Sequence, residues 1–269
     1  MNEKETLIDK IGKIINLAGT TVLMNLLFLL PCIPFVITVI ILRSLELLGT
    51  TGGIIGLVAS AVPVVFVGPA WCALVSAIRY NIRGDSWFQG FKDGLRKRFF
   101  RSLVAWCLLL VAQAYFLIDI NHYVVNLFDE AGGLVTAYIA PLVAAGLMYT
   151  LVNMLTVSLM MLNVYIPTKI ALWIRSAVDM IFKAPLQLLA AAVLFAAPVV
   201  LAVLFADIFI MIVLIFLGFY FTLAALIITM ILKETLIDYL VDARAEGTLL
   251  SEEGRPAAAD EDDEEDEEA

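Results

Sequence analysis

One histidine in 269 residues leaves this chain almost without the commonest metal ligand and general base. A lone His122 among scattered carboxylates does not make a metal centre. Three cysteines, Cys32, Cys72 and Cys107, are odd in number, far apart and set in apolar runs. They support neither a disulfide framework nor zinc-ligand spacing, and read as small buried side chains. HExxH, a Gly-rich phosphate loop and a recognisable nucleophile–base pair are all missing. The chain is therefore expected to be non-enzymatic, with no catalytic residues, cofactor or metal. Charge is scarce as well, at 16% of residues, and none of it lies near the middle of an apolar run. A proton-coupled pump normally needs a carboxylate or histidine at that depth, which argues against that class.

What the chain has in excess is apolar sequence: 62% of residues, with a mean hydropathy of +0.97. The excess falls in uncharged or nearly uncharged runs long enough to cross about 30 Å of hydrocarbon as helices. The fold class expected is all-α, a polytopic helical membrane protein. Six spans are read, at about 20–42, 54–78, 102–122, 134–162, 186–205 and 208–232. An amphipathic segment precedes them at 1–19, a helical extension follows at 233–250, and 251–269 is an acidic tail. That tail holds eleven acids and one arginine, which explains the net charge of −9. It is too polar and too like-charged to bury anything and is expected to be disordered. No cleavable leader is expected, because the first residues carry mixed charge and no small-residue cleavage site follows.

Lys and Arg counts orient the spans. Six spans place the N-terminus, 79–101, 163–185 and the C-terminal segment on one side, which then holds 16 of 17 basic residues. That side is the cytoplasmic one, so both termini are expected inside; five or seven spans would spoil the separation. The localisation expected is a cell membrane, multi-pass.

Seven of the basic residues crowd into 79–101 beside aromatics. On a helix, Trp87, Phe88, Phe91, Leu95 and Phe99 fall within an arc of about 120°. Lys92, Arg96, Lys97 and Arg101 lie outside it, and the long stem of Arg98 lets that residue snorkel. Ser86 with Gln89 has the form of a capping box. This predicts an interfacial helix on the cytoplasmic leaflet, with aromatics at the headgroups and cations toward anionic lipid, each worth about 1 kcal/mol. Lipid is the expected partner and nucleic acid is not. A second amphipathic segment, 169–183, puts Ile170, Trp173, Ile174, Ala177, Val178 and Ile181 on one face. Arg175, Asp179 and Lys183 share another at i, i+4 spacing, suited to ion pairs. Near the start, Leu7, Ile11, Ile14, Ile15 and Ala18 form a third apolar face. The three would make anchors or a platform for a cytosolic partner.

Polar residues inside the spans (Asn25, Gln113, Asn153, Asn163 and Gln187, with several hydroxyls) are expected to hydrogen-bond between helices. At the outer ends, Asp119, His122 and Asp207 could gather into an extracytoplasmic polar mouth. Prolines 31, 34, 63, 69, 141 and 198 predict kinks. Kinked spans and a polar mouth keep a small solute transporter or channel open as the alternative function.

Several stretches together carry a family resemblance: MNLLFLLPCIP, VPVVFVGPAWCALVSAIRYNIRGD, WFQGFKDGLRKRFFRSL and NVYIPTKIALWIRSAVDMIFKAPLQLL. With the Gly68-Pro69-Ala70 turn and the Arg83-Gly84-Asp85 step, this order resembles the YesL-like family of bacterial integral membrane proteins, whose function is unknown. Members are often encoded beside carbohydrate uptake transporters. The resemblance thus implies an accessory role with a solute ABC transporter complex and supplies no catalytic residues.

Overall fold

The computed structural model describes residues 19–33, 37–38, 41, 62–128, 133–166, 168–204 and 219–245. Within them the architecture is all-helical. Helix α1 is Gly19–Cys32, closing in a 3-10 turn at Leu30–Cys32 where Pro31 enters. A 3-10 turn at Val62–Phe66 leads into α2, Val67–Ile82. Next come α3, Trp87–Val125; α4, Ile139–Tyr165; α5, Ile170–Lys183; and α6, Pro185–Leu204. Helices α7, Phe221–Ile231, and α8, Lys233–Ala245, complete the order. Three helices are long and apolar enough to cross a membrane (Val64–Ile82, Trp87–Val125 and Thr136–Tyr165), or four if the bent pair α5–α6 counts as one. The N-terminal segment 1–18, much of the stretch between the first two spans, residues 205–218 with Asp207, and the acidic tail lie outside the described residues.

The core is organised around α2, whose residues from Val67 to Ile78 are all buried. Trp71 packs edge-on against Phe28 of α1 and Phe195 of α6, and Cys72 meets Met160 in the second half of α4, where Val157, Met161 and Leu162 are equally enclosed. Helices α2 and α3 form a tight antiparallel hairpin. Its turn is a Schellman motif: the Asp85 N–H donates to the Tyr80 carbonyl at 3.0 Å and the Gly84 N–H to the Asn81 carbonyl at 3.1 Å. Gly84 takes the left-handed conformation this needs, at φ 85°. The Arg-Gly-acid step is thus a helix stop. Gly90 and Gly94, one turn apart on α3, let the two backbones close up. A Cβ on Gly90 would lie 2.7 Å from Tyr80 Cγ, and one on Gly94 would lie 2.9 Å from Ala73 Cα.

Two sequence expectations change here. The first is the break between an interfacial helix at 86–101 and a span at 102–122. Both belong to the single 39-residue helix α3. From Leu95 to Val125 the sequence holds no Gly or Pro, so the step from charge to apolarity has nothing to bend the chain. A helix of that length is about 58 Å long, nearly twice the hydrocarbon thickness. The second is the capping box. Ser86 sits at the N-cap with extended backbone but makes no side-chain cap bond. Gln89 reaches forward instead, donating Nε2 to Asp93 at 3.1 Å.

The segment 169–183 behaves differently. Ala184 and Pro185 break the chain, and α5 meets the first turns of α6 at 106°. Pro185 has no N–H to donate and opens α6, where that loss costs least.

Polar groups within the apolar helices pair between and within helices as expected. Gln113 donates to Thr156 Oγ1 at 3.1 Å and to Asn153 Oδ1 at 3.5 Å. Asn163 approaches Cys72 Sγ at 3.8 Å. Asn25, fully buried, accepts from the N–H groups of Phe221 at 2.9 Å and Thr222 at 3.2 Å. It thereby caps the start of α7 from 196 residues away.

Candidate functional site

The charged end of α3 and the helices beside it form one bonded platform. The α2–α3 register presents Gly90 and Gly94 to α2 and turns Phe88, Lys92, Leu95 and Arg96 outward. Phe88 is exposed and meets the half-buried Trp87 edge-on, with ring centroids 5.7 Å apart. Phe91 is half-buried against the core, and Phe99 stacks on Phe66 at 6.0 Å. Lys97 pairs with Asp93 at 3.9 Å along the helix.

Arg98 and Arg101 turn toward the protein. The Arg101 guanidinium lies 4.2 Å from the centre of the Trp173 ring on α5. Its Nε and Nη2 are buried with no hydrogen-bond partner among the described residues, where the aromatic face is its principal compensation. Trp173 is only 4% exposed and is fixed from its other edge, donating Nε1 to the Leu159 carbonyl at 2.9 Å. The contact joins two segments that the sequence treats as separate anchors.

Helix α5 has three faces. Trp173, Ala177 and Met180 are buried against α4, and Ser158 donates to the Ala177 carbonyl at 3.0 Å. A row at four-residue spacing, Ile170, Ile174, Val178 and Phe182, is exposed; Phe182 reaches 78%. The third face carries Arg175, Asp179 and Lys183. The expected i, i+4 pair forms between Lys183 and Asp179 at 3.0 Å. Tyr239 of α8 donates its hydroxyl to the same carboxylate at 2.7 Å, and Lys183 Nζ lies 4.8 Å from the Tyr239 ring centre. Burial pushes the Tyr239 phenol upward, and the neighbouring Asp179 carboxylate adds to the shift. The phenol therefore stays protonated and keeps donating. Thr235 adds a bond from α8 to Gln187 of α6 at 2.8 Å. Arg175, Asp179, Lys183, Tyr239 and Asp242 line a cleft of about 260 Å³ between α5 and α8.

A second, smaller pocket of about 80 Å³ lies where α2, α3 and the end of α4 meet. Arg79, Arg83, Lys97 and Arg98 line it, with one acid, Asp93. Arg79 donates Nη1 to the Val164 carbonyl at 3.2 Å and covers the Tyr165 ring at 5.3 Å.

At the other end of α3, the half-buried Asp119 and the exposed His122 sit near the helix C-terminus. His122 meets Tyr123 and Tyr138 edge-on, at 5.5 and 6.3 Å between centroids. Asn126 donates to the His122 carbonyl at 2.7 Å. The third member of the expected mouth, Asp207, is outside the described residues. No group of three metal-capable side chains occurs among the described residues.

Sequence reasoning overlooked the inward turn of Arg101 and the role of α8. The Gly90–Gly94 contact had a legible signal, GFKDG, which is the small-xxx-small spacing of closely packed helices. No protein-family model, curated protein or solved structure matches this chain. What the described residues define is a class: an all-helical protein with three to four helices able to cross a membrane.

Proposed function

We propose that the chain is a non-enzymatic multi-pass protein of a bacterial cell membrane that assists another membrane complex. In this reading it has six spans and both termini in the cytoplasm. The complex it serves is a carbohydrate or other solute ABC uptake system. The observation that carries the assembly role is the bonded platform. Arg101 over Trp173, and Tyr239 on Asp179, tie the basic end of α3 to α5 and α8. The platform borders an exposed apolar row from Ile170 to Phe182. A rigid surface of mixed charge beside exposed apolar side chains suits docking against a partner and a lipid surface together. Within the spans, Gln113, Asn153 and Thr156 engage one another, which favours a packed bundle over a conduction path. The identity of the partner rests on the resemblance to YesL-like membrane proteins.

The test is site-specific photocrosslinking in intact cells, with the probe at Leu95 and separately at Lys183. The expected products join this chain to a permease or ATPase subunit of an uptake transporter, and Phe182→Glu depletes them. Crosslinks to lipid alone, together with sugar flux through liposomes holding only this chain, would overturn the proposal in favour of a transporter.

A further inference from the structure

Helix α5 divides into three arcs of different chemistry. At 100° per residue, the exposed Ile170, Ala171, Ile174, Val178 and Phe182 fall within about 120° of one another, and no polar side chain interrupts that arc. Arg175, Asp179 and Lys183 occupy the next arc, where Tyr239 of α8 bonds Asp179 at 2.7 Å. Trp173, Ala177 and Met180 fill the third, against Ser158 and Leu159 of α4. Two observations bear on the depth of this helix. Arg101, 4.2 Å from the centre of the Trp173 ring, is the last charged residue of α3 before the uncharged stretch Ser102–Ile118. Helix α5 therefore meets α3 at the level where charge gives way to apolar sequence. It also meets the first turns of α6 at 106°, so with α6 upright in a bilayer α5 lies close to the plane of the surface. The exposed row, moreover, does not stop at the elbow. Phe182 and Leu186, on either side of Ala184–Pro185, are the two most exposed large apolar side chains among the described residues, at 78% and 79%. Leu189, Ala190 and Val193 carry the exposed stripe on along α6. A protein-docking patch has a polar rim, whereas this surface runs without one onto a stripe that faces hydrocarbon in a spanning helix.

We propose that α5 lies in the plane of one leaflet, with Ile170, Ile174, Val178 and Phe182 among the lipid acyl chains just below the headgroups. Lipid, not a protein, is the occupant of this row. An interfacial helix buries its apolar face to that depth and leaves its charged face in water. Arg175 borders Phe182 on the wheel, and its long stem lets the guanidinium reach the headgroups. Trp173 and Ala177, which the sequence groups with the apolar face, belong to the protein arc instead, and Phe182 joins the lipid one. The water-facing arc carries α8, so the Asp179–Tyr239 contact stands outside the bilayer and is the side a partner would meet. The inference rests on the membrane placement proposed above and is independent of which partner the chain has.

The experiment uses the full chain in vesicles of phosphatidylcholine and phosphatidylglycerol. An environment-sensitive fluorescent amino acid replaces Ile174, Val178 or Phe182 in turn. Leu108, in the middle of the apolar stretch of α3, and Asp242, on α8, are the reference positions; all five are exposed. The quenchers are acyl chains brominated near the headgroup, acyl chains brominated near their ends, and aqueous iodide. The three row positions should lose most fluorescence to the shallow bromine, by the same factor, and little to iodide. Leu108 should respond mainly to the deep bromine and Asp242 to iodide. If α5 and α6 were instead one bent span, positions 174 and 182 would differ in depth by about 12 Å and their shallow-to-deep ratios would diverge, which overturns the proposal. Quenching of the row by iodide overturns it as well, and so does quenching by no agent, the result expected under a second copy or a protein partner. A bromine response at Leu108 without one in the row removes only the lipid contact of α5. Failure at Leu108 too removes the membrane placement itself. Matched elution profiles and melting temperatures show that the labelled chains are folded.

Discussion

The α2–α3 hairpin sets the height of the platform, and its register can be tested with a substitution that has two opposing effects. Gly→Ala inside a helix gains about 1 kcal/mol of intrinsic propensity. At Gly94 the new Cβ would meet Ser76 Oγ at 2.6 Å, Ser76 Cβ at 2.7 Å and Ala73 Cα at 2.9 Å. The last contact is backbone and cannot rotate away, so the helices must separate. Overpacking of that kind costs about 1–3 kcal/mol. The net expectation for Gly94→Ala is a loss of up to about 2 kcal/mol. Gly146, in α4, is the control, because a Cβ there meets nothing within 4 Å. Gly146→Ala should therefore leave stability unchanged or raise it by up to about 1 kcal/mol. Ser76→Gly removes two of the three close contacts at Gly94. The double variant Ser76→Gly with Gly94→Ala should then recover at least about 0.5 kcal/mol relative to the sum of the singles. The assay is thermal unfolding in mild detergent, followed by fluorescence-detected size exclusion with a denaturant series for the free energies. If Gly94→Ala and Gly146→Ala shift stability equally, or the Ser76–Gly94 coupling is zero, the hairpin register described here is refuted.

Asn25→Ala leaves the Phe221 and Thr222 N–H groups without their buried acceptor. It should cost about 1–3 kcal/mol in the same unfolding assay, more than Asn126→Ala at an exposed helix end. Tyr239→Phe removes one bond to Asp179 but keeps the ring under Lys183. Because Asp179 is accessible to water, the expected loss is only about 0.5–1.5 kcal/mol, with faster proteolysis after Arg244 as the local signature. Tyr239→Leu loses the ring as well and should be the worse of the two. For topology, Gln89→Cys and Thr136→Cys place thiols at exposed positions on either end of the α3 span. A membrane-impermeant maleimide added to intact cells should label position 136 and spare 89; labelling of both from one side rejects the orientation.

The helical class was legible because apolar runs have only one economical backbone solution in hydrocarbon. The i, i+4 pair at Asp179 and Lys183 was legible for the same local reason: spacing alone brings the two side chains together. The boundary at residue 101 was misread because composition changes there and backbone chemistry does not. Helix continuity depends on Gly, Pro and caps; RKRFFRSLVAW has no Gly or Pro, and its one cap-forming residue, Ser102, donates back to the Arg98 and Phe99 carbonyls instead of starting a new helix. The boundary at Ala184 was marked by Pro185, and there the chain bends by 106°. The facing of Arg101 could not be read from a helical wheel. A wheel separates polar from apolar arcs, but only tertiary packing shows that an arginine on the polar arc lies against a tryptophan 72 residues on.

The continuity of α3 changes what the cations at its base can do. A helix lying flat on a leaflet would spread Lys92 to Arg101 across the headgroups, each acting through a screened surface potential. An upright helix about 58 Å long cannot hold all its residues in hydrocarbon, so its charged third must stand beyond the apolar stretch Ser102–Ile118. Packed against α2 in that position, the segment divides its cations by helix face. Lys92 and Arg96 face outward, while Arg98 and Arg101 are turned into the protein and held at lower dielectric. Inward-facing charge is screened less by salt and depends on geometry as well as count. The same number of basic residues thus divides into exposed charge on one side of α3 and charge set by packing on the other, and a charge-preserving exchange such as Arg98→Lys should lower the melting temperature more than Arg96→Lys does.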